Sequence, residues 1–466
     1  MASASDCTVM ELRDLHPKPS PKALLTKISS RRSRSRGDQP ELERQTAVNE
    51  ELPGPTTAPV VVQQRWNESK VMIYRTIAAF WGFTIMGAND AAIGALIPYL
   101  QDYYQLTYSV VALLFLSPVI GYTLSAILNN MAHMKFGQRG IAIICPSCHL
   151  IAYLVAALHP PFPVIVVFFA LSGFGNGLED AAWNAWIGNM ANANEVLGFL
   201  HGFYGLGATI APLVATTMIT KSNLLWFTFY YVMAGLAGVE LVISMTGFWT
   251  ATAAEYRASH PRTTDHNGNR MTEALWNMPA ARVTWLCALF LFGYVGVEVA
   301  LGGWITTFML EVRHSSHFAS GMSATGFWLG MTVGRVVLGF VTPRLGETLA
   351  IMIYIPITMA LELIFWLVPQ FYVSTVAVAL QGFFLGPLFP ASVVAVSKLL
   401  PKHLHVSSIG FAAAFGGGGA AIFPFAVGAI AQAKGVKVLQ PIVLAILGLT
   451  FLLWCGLPRM SNKKSE

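Results

Sequence analysis

The sequence predicts an all-α membrane protein with twelve transmembrane helices, arranged as two six-helix halves that repeat one another in parallel. Three observations carry this expectation. Only 11% of the 466 residues are charged and 55% are hydrophobic, against about 25% charged in an ordinary soluble domain. Apolar runs long enough to cross a hydrocarbon layer, which takes about 20 helical residues, recur twelve times after residue 70. Matching motifs then return about 210 residues apart.

The runs cover roughly 71–100, 107–131, 139–158, 162–190, 196–221, 224–249, 281–311, 319–341, 348–368, 371–398, 404–433 and 436–458. Backbone amides facing lipid are satisfied only within a helix or a closed barrel, and the alternating strands of a barrel are missing from these segments. Helices are therefore expected. Residues 1–70 differ in kind. They hold RRSRSR (31–36) and PGPTTAP (53–59) without a sustained apolar period, as a disordered cytoplasmic tail does. No apolar core followed by a cleavage site marks a signal peptide there.

Charge placement sets the expected orientation. Connections on the tail's side of the membrane, with the C-terminus, carry twelve lysines and arginines, among them Lys135, Arg257, Arg344 and Lys398; the other side carries four, Lys221, Arg313, Lys434 and Lys437. That excess places both termini in the cytoplasm. The expected organisation is a six-helix half at 71–249, a cytoplasmic linker at 250–280, a second half at 281–458 and a cytoplasmic C-terminus at 459–466. The net charge of +6 reports topology and tail, with no nucleic-acid signature behind it. CPSC (145–148) falls inside an apolar run, so buried thiols are expected rather than a redox pair or metal site.

The repeat is visible in several places. GLGATIAP (205–212) matches GGGAAIFP (417–424), Asp90-Ala-Ala-Ile-Gly94 answers Glu298-Val-Ala-Leu-Gly302, and Lys135-Phe-Gly137 answers Arg344-Leu-Gly346. Gly205, Gly207 and Pro212, like Gly417, Gly419 and Pro424, suit close helix packing and bending as two halves rock. Parallel repeats of this kind place a substrate near the midplane, between the halves.

Three acids sit at that depth: Asp90, Glu179 and Glu298, in the first, fourth and seventh runs. Each costs about 2.5–3.5 kcal/mol to place there, which argues for a hydrated cavity or a polar partner. At about 100° per residue, Asn176, Glu179, Asp180, Trp183, Asn184 and Trp186 fall in one arc of roughly 160° and suggest a cavity wall. A carboxylate in a partly dry cavity favours its protonated form, so these acids are candidates for proton coupling. Asn89, Asn176, Asn184 and Gln381 offer hydrogen bonds to substrate hydroxyls, and Trp183, Trp186, Trp304, Tyr204 and Tyr294 offer faces for a sugar ring. For any single aromatic, bundle packing is the plainer account. Asp180 either joins this site or holds Asn176 or Asn184 on its own helix. Arg335 reads as a gating ion pair or a snorkelling cation, and His201 as structural. Glu240 and Glu362 show no polar cluster nearby in sequence, so interhelical hydrogen bonds are expected of them.

GANDAAIGALIPYL (87–100) and GLEDAAWNAW (177–186) resemble the fucose:proton symporter branch of the major facilitator superfamily, including its fungal members. YVGVEVALGGWITTF (294–308), GFWLGMTVGR (326–335) and GPLFP (386–390) look like its fungal and glucose-transporter-like relatives. The resemblance covers about residues 75–458 and implies the major facilitator fold, with Asp90 and Glu179 handling the proton. The usual signature after the second helix is degraded to NNMAHMKFGQRG (129–140), with Met134 where an acid is expected.

These readings lead to a secondary active transporter, with proton-coupled symport of a small neutral solute such as a hexose-like sugar expected. An exporter of apolar metabolites or drugs, and a non-transporting nutrient sensor, are the competing readings. The expected partners are a small-molecule substrate, protons and the bilayer, with a monomeric state and no nucleic acid. The plasma membrane is favoured over an internal one. No zincin, nucleophile-elbow or phosphate-loop motif occurs, so neither an enzyme, a cofactor nor a metal is expected.

Overall fold

The computed structural model describes residues 64–458 apart from 192, 260–266 and 402–403. Most of the expected tail, part of the linker and the C-terminus at 459–466 lie outside the described residues.

Helix α1 (Lys70–Tyr104) starts where Ser69, in extended conformation, accepts the Met72 N–H at 3.2 Å, so an orphan donor of the first turn is capped. A single turn, α2 (Tyr108–Val111), leads into α3 (Leu113–Ala157). Together they form a 50-residue helical stretch, about 75 Å long at ~1.5 Å per residue and therefore enough for two crossings of a ~30 Å core. The two crossings part at Gly137, whose φ of 68° and ψ of −173° suit glycine alone. Eleven stretches among the described residues are long and apolar enough to span a membrane; with the double stretch divided, twelve crossings result.

The first half is completed by α4 (Phe162–Gly188), α5 (Ala193–Thr220) and α6 (Thr228–Gly247). Two short helices follow, α7 (Ala253–Ser259) and α8 (Asn267–Trp276). The segment entering α7 fills the break in α3. Arg139 N–H donates to Ala251 O at 2.9 Å, and Arg257 donates to Met134 O at 2.7 Å. A backbone carbonyl thus receives an arginine at the position where sequence comparison expects an acid.

The second half consists of α9 (Ala280–Glu311), α10 (His317–Leu345), α11 (Glu347–Leu367), α12 (Phe371–Leu385), α13 (Leu388–Leu399), α14 (His405–Lys434) and α15 (Leu439–Cys455). Helices α12 and α13 form one crossing, interrupted at Gly386-Pro387. Proline removes a donor there, and the Gly386 carbonyl accepts Arg335 Nε at 3.3 Å.

The halves meet through a few close contacts. Gly94 of α1 lies against the Gly302 carbonyl of α9, Gly205 of α5 against Thr332 of α10, and Gly321 against Thr216. Towards the end of the bundle where α1 finishes, Tyr108 N–H donates to Gln432 at 3.0 Å, Tyr108 hydroxyl donates to Glu311, and Lys221 lies over the Phe318 ring at 4.5 Å. Nearer the opposite end, Gly202 of α5 and Gly410 and Gly417 of α14 have no neighbour in the space a β-carbon would take. For Gly417 this corrects the packing role expected from the repeat: Gly207 and Gly419 do pack, on the carbonyls of Thr84 and Phe292, whereas Gly417 faces the other side of its helix. Pro212 and Pro424 stand inside α5 and α14.

Candidate functional site

Polar groups from five helices gather where the halves face one another at mid-depth. On the first half, Asp90 of α1 accepts the Tyr204 hydroxyl of α5 at 3.0 Å. One helix away, Asn184 Nδ2 donates to Asp180 Oδ1 at 2.7 Å, and His201 Nε2 lies 3.2 Å from Asn184 Oδ1. Asp90, Asp180, Asn184 and Tyr204 are partly exposed and His201 is exposed, so water reaches this face. On the second half, Arg335 of α10 donates to Glu298 of α9 at 2.8 Å, with side chains 20% and 8% exposed. Tyr294 lies beside that pair. Arg335 is within electrostatic range of both His201 and Tyr204, and Thr209 hydroxyl approaches Thr332 at 3.3 Å. The arrangement is a polar cleft with two carboxylates on one wall and a compensated ion pair on the other.

Several residues expected in the cleft stand elsewhere. Glu179 is buried inside the first half, where Trp183 Nε1 donates to it at 2.8 Å. Trp183 stacks on Phe248 with ring centroids 4.3 Å apart, and Trp186 meets the same ring edge-on at 5.3 Å. The expected 160° arc is too wide for one surface. Residues 179 and 180 differ by about 100° around the helix, so only Asp180 and Asn184 reach the cleft. Asn176 is buried beside His149, and Asn89 is buried next to Asp90.

Trp304 is also withdrawn: its indole N–H donates to Pro424 O at 2.9 Å, and its ring packs on Tyr108 and Phe115. Gln381 belongs to a separate buried contact, donating to Glu362 at 2.7 Å. The acid that showed no polar neighbour in sequence thus has one, and the same is true of Glu240, whose carboxylate lies 3.1 Å from His149 Nδ1 with both side chains fully buried. His149 had carried no expectation at all. Its only signal in sequence is a histidine within the apolar run ICPSCHLIAYL, and nothing local links it to an acid 91 residues away.

Twelve crossings in two halves around a polar cleft define a multi-pass membrane protein that moves small molecules. Residues 79–373 and 316–466 match the Major Facilitator Superfamily, and the chain belongs to that family of transporters. It is 27% identical over 450 residues to Bypass of stop codon protein 6 of Saccharomyces cerevisiae, covering 88% of this chain and 90% of the yeast protein. It is 23% identical over 353 residues to the glucose/mannose transporter GlcP of Bacillus subtilis, covering 74% of this chain and 85% of that one. Among solved structures, a D-xylose-proton symporter superposes with a TM-score of 0.69 at 13% identity, over 84% of this chain and all of the symporter.

Proposed function

We propose that this chain is a proton-coupled symporter of a neutral, hexose-like sugar, working by alternating access from the plasma membrane with both termini in the cytoplasm. The observation that carries the reading is the setting of Asp90. Its hydrogen-bond partner is a neutral hydroxyl, that of Tyr204, so its charge depends on protonation, whereas Arg335 across the cleft is already paired by Glu298. A cleft with one cation neutralised and carboxylates free to hold protons suits an uncharged solute rich in hydroxyls. The names of two similar proteins, a glucose/mannose and a glucose/galactose transporter, support the same substrate class.

Proton and sugar are coupled if sugar hydroxyls bond one protonation state of Asp90 better than the other. Each charge carried inward gains about 2.3 kcal/mol per 100 mV of membrane potential. Asp180, Asn184 and His201 supply further donors and acceptors to the solute. Purified protein in vesicles under an imposed pH gradient tests this with labelled glucose, mannose and galactose. Accumulation of at least one sugar is expected in wild type. Asp90→Asn should lose accumulation and keep counterflow exchange. Absence of both uptake and counterflow for all three sugars, or undiminished accumulation in Asp90→Asn, would refute the reading.

A further inference from the structure

The first half holds a second group of acids, away from the cleft. His149 of the second arm of α3, Glu179 of α4 and Glu240 of α6 place one ligating atom each within 4.8 Å of one another, and all three are buried to 1% exposure or less. His149 lies 3.1 Å from Glu240, and a carboxylate oxygen of Glu179 lies within 4.8 Å of one from Glu240. Two carboxylate oxygens do not approach in a dry interior unless a proton lies between them. Both ionised beside a histidinium would leave a net charge of −1, with lipid and apolar side chains around it. One proton added to the carboxyl pair gives histidinium, carboxylate and carboxylic acid, which sum to zero.

Among the described residues, the groups around the unit bring no other cation. From α1, Asp90 is within electrostatic range of His149, while Gly82 leaves the space that the Glu179 carboxylate fills. From α3 come Cys145, Cys148 and Tyr153, and from α4 Asn176 and Trp183. A metal ion is the other way to balance the charge. Bonds of ~2.1 Å at tetrahedral angles would draw the ligand atoms to about 3.4 Å apart, however, and no fourth histidine, cysteine, aspartate or glutamate joins the group among the described residues.

We propose that His149, Glu179 and Glu240 form one proton-sharing unit, in which a single proton held between the two carboxyl groups is taken up and released by the pair, and His149 carries the compensating charge. The unit deepens the proton-coupled reading and rests on it: Glu179 handles its proton jointly with Glu240, inside the half, while Asp90 meets the solute. Transfer to or from the unit moves one proton and no electrons.

Infrared difference spectra of the full chain in lipid, recorded during a pH titration, test the unit through the carbonyl band of a buried carboxylic acid. Wild type should show the band at neutral pH. Glu240→Gln leaves Glu179 as the one carboxyl of the unit facing the histidinium, so the unit's share of the band, apart from that of buried Glu362, should disappear at neutral pH and return only at a proton concentration at least about tenfold higher. Glu240→Asp should restore it. His149→Gln removes the cation, and the band should intensify as both carboxyls hold protons. Opposite changes in the two variants are not expected of a merely structural contact. An unchanged band in Glu240→Gln, or stoichiometric zinc in the purified protein that chelator removes, would overturn the unit. These spectra need no substrate, so intact bands without sugar uptake would count against the sugar symport alone.

Discussion

Glu179 and Asp180 are adjacent in the chain, yet their carboxyl groups serve different surroundings. Glu179 accepts the Trp183 indole inside the first half, and Asp180 accepts Asn184 on the cleft wall. One helix thereby presents an acid to a dry interior and another to a wet one, because consecutive residues on a helix are turned about 100° from each other.

The dry site depends on Gly82, since the Glu179 carboxylate occupies the space where a β-carbon would stand. Gly82→Ala should destabilise by about 1–3 kcal/mol through overpacking. Gly198, also in a helix, has nothing in that space, so Gly198→Ala should be neutral or stabilising by up to about 1 kcal/mol. Thermal unfolding in detergent compares the two; equal effects would show that the carboxylate moves aside freely.

Trp183→Phe retains an aromatic ring against Phe248 and removes the indole donor to Glu179. A lost hydrogen bond to an ionisable group is worth about 1.5–3 kcal/mol. The variant should melt earlier than wild type and shift the pH profile of transport, whereas Trp186→Phe, which keeps a ring edge-on to Phe248 and Trp183 and removes no donor to Glu179, should leave the profile in place.

The pair of Glu298 and Arg335 should behave as a unit. Arg335→Gln leaves a carboxylate in a largely buried site. Its cost should reach up to about 3 kcal/mol, below the range for fully buried pairs because water touches one fifth of the arginine side chain. Adding Glu298→Gln should recover most of that loss. A double variant no more stable than Arg335→Gln alone would argue against the pairing.

Tyr204→Phe deletes the donor to Asp90 without changing the ring. The expected result is a rise in KM for the sugar of about tenfold, the effect of a bond worth ~1.4 kcal/mol, with protein yield and melting close to wild type. Steady-state uptake at saturating and limiting sugar separates this from a loss of folded protein.

Legibility in the sequence followed the range of the interactions. Apolar runs, the repeat and the depth of Asp90 and Glu298 are local properties of one helix, and they sufficed for the family and for part of the cleft. Which helix faces which is not local. Glu179 was placed with the cleft acids because its neighbours in sequence are polar, but its partners His149 and Glu240 come from two other crossings. Trp304 similarly has the composition of a sugar platform and the environment of a packing residue, since its N–H is taken by a carbonyl 120 residues away. Gly417 and Gly419 share a motif and differ in role through the rotation between them.

Gly94 and Gly302 occupy equivalent places in the two repeats and touch each other, main chain to main chain. Two copies of one position can meet only on the symmetry axis that relates them, so this crossing marks the pivot of the molecule. A fulcrum built from bare backbone has no rotamers to interlock, and the lobes can tilt across this crossing without a side-chain pair having to part there. Friction in the transport cycle is therefore expected to arise at the periphery, where Tyr108, Gln432 and Lys221 must let go, and the centre stays in contact throughout.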